Sequence, residues 1–121
     1  MVKKKTMKLP HPDKAVIAQS KIVDYLLSLT HPYGRSKARF FIQCGFSSED
    51  WPKLEKALRK HPIEHDVRER IKTPFGVKFI VEGPLNTPKG KTANLRSIWF
   101  IETGEEIPQF VTAYPLQWRE R

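Results

Sequence analysis

The chain has 121 residues, 39% of them hydrophobic and 29% charged, and a net charge of +9. This balance suits a single globular domain with one core and excludes a disordered chain. Apolar runs of only a few residues exclude a membrane-spanning helix. The lone Cys44 excludes an internal disulfide and points to a reducing cytoplasm.

The chain opens with a basic arm, residues 1–8. It holds four lysines and no acid, and no apolar stretch follows that would make it a secretory signal. Over half of the charge excess sits at the ends, with +4 in the arm and +1 in the closing "RER". Such an arm either solvates the terminus or binds phosphates by releasing counterions. Residues 9–121 are expected to form one domain, which is only mildly basic apart from "RER".

Three helices are predicted first. In "QSKIVDYLLSLTHP" the apolar residues Ile22, Val23, Leu26, Leu27 and Leu29 lie on one broad face, with a start at Gln19 or Ser20 and an end at Pro32. "SKARFFIQCGF" gives a second helix. Ser36 is its cap, Ala38, Phe41 and Ile42 face inward, and Gly45 is the stop. "SSEDWPKLEKALRK" gives a third, with Ser47 and Asp50 spaced for capping, Pro52 in the first turn, and Leu54, Ala57 and Leu58 buried. The ten prolines, Pro62 and Pro84 included, read as boundaries.

The period then changes. "HDVRERIKT", "VKFIVEGPL", "ANLRSIWFIE" and "QFVTAYP" alternate as strands, joined by "TPFG", "NTPKGK" and "TGEEIP". Four consecutive strands with short polar turns make an antiparallel meander. The fold class is therefore α+β, with N-terminal helices packed on a four-stranded sheet. Leu26, Leu27, Phe41, Leu54 and Leu58 should bury against Phe79 and Trp99.

Several polar residues invite a chemical reading, and each has a plainer one. His31 and Lys37 flank the turn "PYGRS". An imidazole moves protons near neutrality and an ammonium stabilises phosphoryl charge, yet His31 could equally cap a helix C-terminus beside a solvated lysine. Ser97 and Trp99 share one strand face, with Arg96 on the other, while Phe110, Thr112 and Tyr114 share a face of the last strand. If the register aligned Ser97 and Trp99 with Thr112 and Tyr114, they would form a polar–aromatic platform for a base and a phosphate. The alternative is a core Trp and Tyr with their polar tips satisfied. Arg68, Arg70, Lys72 and Lys78 form either a phosphate track or the wet face of a sheet. His61 and His65 in "HPIEH" lack a third ligand and have Pro62 between them, so no metal is expected. Cys44 reads as a core residue rather than a nucleophile.

The segments "KIVDYLLSLTHPYGRSKARFFIQCGFS" and "LRSIWFIETGEEIPQFVTAYP" resemble a small bacterial domain family with the pattern HPxGxxKAxFF…RSxW…GExxP…Y. The likeness spans roughly residues 8–115. The "YLL…H…KAxFF…GF" part is also similar to the barnase–EndoU–colicin–RelE (BECR) fold of toxin ribonucleases. That resemblance implies a metal-independent endoribonuclease without cofactor, the toxin of a toxin–antitoxin pair, with RNA and an antitoxin protein as partners. It implies His31 as acid or base, Lys37 and Arg96 as charge stabilisers, and Ser97, Thr112 and Tyr114 as phosphate-orienting groups. Trp99, Arg68 and Arg70 would bind substrate. The alternative is a non-catalytic RNA- or protein-binding module of the same fold.

Overall fold

The alternating second half forms the sheet that organises everything else. In the computed structural model, which describes residues 7–116, β1 (Val67–Thr73), β2 (Gly76–Asn86), β3 (Thr92–Glu102) and β4 (Gln109–Pro115) pair antiparallel in the order β1-β2-β3-β4. Each strand pairs with its neighbour in sequence, because every connection is a short turn. The helices α1 (Gln19–Lys21, continuing as a π-helical segment Ile22–Leu26), α2 (Arg35–Gln43) and α3 (Trp51–Glu64) precede the sheet in the chain. They cover one of its faces, giving the predicted α+β architecture.

The core lies between these layers. Leu26, Leu27, Phe41, Leu54 and Leu58 are buried against Phe79 and Trp99, as the apolar spacing predicts. Each such side chain contributes about 1.5–3 kcal/mol. Leu29 and Ile42, predicted inward, are exposed. The first helix ends well before Pro32, since the Ser28 hydroxyl accepts the backbone N–H groups of Thr30 and His31 and so competes with the helical ladder.

Prolines mark fewer boundaries than expected. Pro62 lies inside α3, three residues from its first non-helical neighbour, and is buried there. The helix still closes by the bond from His65 N–H to the His61 carbonyl at 3.0 Å. Pro84 lies inside β2, beyond the last β1 partner, where the strand no longer needs its N–H for that ladder. Ser47 Oγ accepts the Asp50 N–H at 3.3 Å, so it caps the 3-10 turn Ser48–Asp50 that leads into α3 rather than α3 itself.

The sequence places the basic arm at residues 1–8. Residues 1–6 lie outside the described residues, but Met7 and Lys8 are part of the fold. The Met7 carbonyl accepts the Val67 N–H at 2.6 Å and Lys8 pairs with Asp66 at 2.9 Å. The chain then crosses to the far edge. There Val16 N–H donates to the Pro108 carbonyl at 2.9 Å, and the Val16 carbonyl accepts the Phe110 N–H at 2.8 Å. Leu9 and Ala15 are buried along the way. This N-terminal strap thus touches both edge strands.

Candidate functional site

The junction between α1 and α2 is built by one histidine. His31 Nδ1 accepts the backbone N–H groups of Tyr33, at 3.0 Å, and Gly34, at 3.1 Å. The ring therefore braces the turn that leads into α2, not the end of the preceding helix. Ser36 is consequently not the cap, and α2 begins at Arg35. With Nδ1 accepting, the neutral ring carries its proton on Nε2. Gly34 is required by a close approach: a Cβ there would stand 2.3 Å from the Tyr25 carbonyl oxygen.

That approach sets Tyr25 at the centre of an open cleft of about 540 Å³, lined by Lys21, Asp24, His31, Tyr33 and Thr112 among others. The Tyr25 hydroxyl bonds the Thr112 hydroxyl of edge strand β4 at 3.1 Å. Its ring meets His31 edge-on, with centroids 5.1 Å apart. The ammonium groups of Lys37 and Lys21 lie 5.2 and 5.6 Å from the ring centroid. Burial pushes the Tyr25 phenol up, but hydrogen bonds from Lys37 and with Thr112, and the charges of Lys37 and Lys21, outweigh it. The phenol ends below its ordinary value. Lys37 also donates to the Tyr33 carbonyl at 3.4 Å.

A second polar group lies on the sheet face away from the helices. Arg96 donates through Nε to Glu82 at 2.7 Å and through Nη1 to the Tyr114 hydroxyl at 3.3 Å. Arg68 approaches the other Glu82 oxygen at 3.7 Å. The Tyr114 and Glu82 contacts hold the Arg96 guanidinium above its ordinary pKa. Tyr114 and Thr112 are two apart on β4, which brings this cluster beside the Tyr25 cleft.

The structure separates Ser97 and Trp99 from these residues. Ser97 pairs with Ala113 and Thr112 with Ile98, so the two sets face opposite sides of the sheet. A bulge at Val111 also returns Phe110 to the core, away from the face of Thr112 and Tyr114. Ser97 and Trp99 are both 0% exposed. Trp99 Nε1–H donates to Ser97 Oγ at 2.9 Å, and Ser97 Oγ–H donates to His61 Nδ1 at 2.8 Å. His61 Nε2–H in turn donates to the Gly83 carbonyl at 3.0 Å. Neither residue can touch a substrate on the outer surface.

His61 and His65 do meet, with rings 5.0 Å apart, but their outer nitrogens bond the strand carbonyls of Gly83 and Pro84. Cys44 is half-buried beside the core. The basic stripe is divided by a second bulge, between Val67 and Glu69. Arg70 and Lys72 pair with Phe79 and Val77, while Lys78 points to the opposite face and Arg68 turns toward Glu82.

Tyr25, Lys21 and Glu82 were not singled out from the sequence. Tyr25 stands among the apolar positions of the first helix without belonging to the stripe of Ile22, Val23, Leu26, Leu27 and Leu29. Its signals are its place in the pattern "YLL…H…KAxFF…GF" and Lys21, four residues earlier and so on the same helix face.

Among solved structures, the chain resembles one in the contact-dependent growth inhibition toxin–immunity protein complex from Klebsiella pneumoniae 342. The TM-score is 0.68 at 18% identity, covering 86% of this chain and 95% of that one. At that identity the likeness concerns the fold. Among curated proteins none matches. Residues 8–117 match the family described as "Domain of unknown function (DUF6883)", nearly the whole chain, and the protein belongs to that family.

Proposed function

We propose that the protein is a metal-independent endoribonuclease, acting in the cytoplasm as the toxin of a toxin–antitoxin pair, with Tyr25 at its catalytic centre. The fold it shares with a chain of a toxin–immunity complex supports the toxin role. One observation carries the chemistry: a phenol with lowered pKa, held between two lysines and a threonine in an open cleft.

In this reading an RNA 2′-hydroxyl attacks the adjacent phosphorus and gives its proton to the Tyr25 phenolate. The new 2′-O–P bond forms as the P–O5′ bond breaks. The 5′-oxygen leaves with a proton from the Lys37 ammonium. Lys21 and the His31 Nε2–H stabilise charge on the phosphoryl oxygens, and Thr112 orients the phenol. The base role assigned to His31 passes to Tyr25, since two backbone donors hold the His31 proton on Nε2. Arg96 and Tyr114 receive the neighbouring phosphate, with Glu82 setting the guanidinium plane.

The test is cleavage of a fluorogenic single-stranded RNA in EDTA. Tyr25→Phe should lose about 10²–10⁴-fold in rate with its thermal midpoint nearly unchanged. Absence of cleavage by the wild-type chain, with EDTA or with magnesium, overturns the proposal. The reading that would then stand is a non-catalytic binding module, which the structural partners of Arg96 and of His31 Nδ1 favour.

A further inference from the structure

Phosphoryl chemistry leaves one feature of the cleft without a role. Tyr33 lines it and is 78% exposed, yet its backbone is held at both ends. Its N–H donates to His31 Nδ1 at 3.0 Å and its carbonyl accepts from Lys37 Nζ at 3.4 Å. The ring is therefore presented to solvent from a fixed point, with the His31 ring 6.0 Å away. A flat apolar ring beside cations fits a ligand that joins a flat π-system to an anion. A nucleotide with an unstacked base is such a ligand, whereas a duplex hides its base faces.

We infer that Tyr33 is a base-stacking platform and that the cleft takes single-stranded RNA, one base lying on Tyr33 and the adjoining phosphate among Lys21, Lys37 and the Tyr25 hydroxyl. This rests on the ribonuclease reading of the same cleft. Asp24, also in the cleft, supplies an acceptor for a ribose hydroxyl or a base amino group. The platform that the sequence suggested at Trp99 is supplied instead by an aromatic ring that solvent reaches.

The test measures binding by fluorescence anisotropy to a short 2′-O-methyl strand, which cannot be cleaved by 2′-oxygen attack. The same strand with abasic positions and a matching duplex serve as comparisons. The wild type should bind the intact single strand roughly tenfold more tightly than either. Tyr33→Ala should lose that preference, and Tyr33→Trp should keep it. Phe75→Ala should bind like the wild type, since Phe75 is equally exposed, at 77%, but sits in the β1–β2 turn. Equal losses in Tyr33→Ala and Phe75→Ala, no loss in Tyr33→Ala, or no binding of the single strand would each overturn the inference. A Tyr33-dependent preference without cleavage of unmodified RNA would uphold it and overturn the catalytic reading. Cleavage with no role for Tyr33 would do the reverse.

Discussion

At the scale of single residues, two aromatic groups titrate abnormally for opposite reasons. Tyr25 is surrounded by cations that favour its anion. If its phenolate is the base, the cleavage rate should climb with pH through an apparent pKa below that of an ordinary tyrosine. Lys21→Ala removes one of those cations and leaves the proton donor Lys37 in place, so the pH–rate profile should move toward higher pH. His61 is the contrary case. Burial, opposed by its bond to the Gly83 carbonyl, lowers its pKa from about 6.5 to about 4. The folded state therefore holds a neutral ring while the unfolded chain takes up a proton below pH 6.5. Stability from this group is complete above that value and is lost as pH falls toward 4, by roughly 3 kcal/mol. Denaturant titrations across that window should show the slope. His61→Gln should flatten it, although the variant will be less stable at neutrality.

At the scale of elements, the α1–α2 junction is the most demanding part of the chain. Gly34→Ala would drive a methyl into the Tyr25 carbonyl and should cost about 1–3 kcal/mol in chemical denaturation, with Tyr25 displaced from Thr112. The strands and their turns were legible beforehand, because "VKFIVEGPL" and "ANLRSIWFIE" alternate and their loops carry Gly and Pro. The bulges at Arg68 and Val111 were not, because an extra residue changes the faces without changing composition. That is why Ser97 and Trp99 were grouped with Thr112. Proline misled in "HPIEH" for a related reason: a helix near its last turn has few bonds left for Pro62 to break. The candidate site was half legible. His31, Lys37 and Thr112 were found from residue type. Tyr25 was not, because its partner Thr112 lies 87 residues away in sequence.

At the scale of the whole molecule, a net charge of +9 would make any binding to a polyanion salt-sensitive. If single-stranded RNA binds, log affinity should fall linearly with log salt, by about 0.7 per phosphate contact. Removing residues 1–6 deletes Lys3, Lys4 and Lys5 and should make that slope shallower while preserving the thermal midpoint. The cut stops there because Met7 and Lys8 hold the start of β1. An unchanged slope would make the arm a bystander to binding.

The strap from Met7 to Val16 has a further consequence, one of timing. A ribosome releases this segment before the sheet, and its partner Phe110 emerges 94 residues after Val16. At about 5–20 residues per second, the strap waits several seconds for the strand it must join. Throughout that interval Leu9, Ala15 and Ile17 have no completed core to enter. A nascent chain halted before β4 should therefore remain open to protease along the strap, and the arrival of β4 should be what closes it.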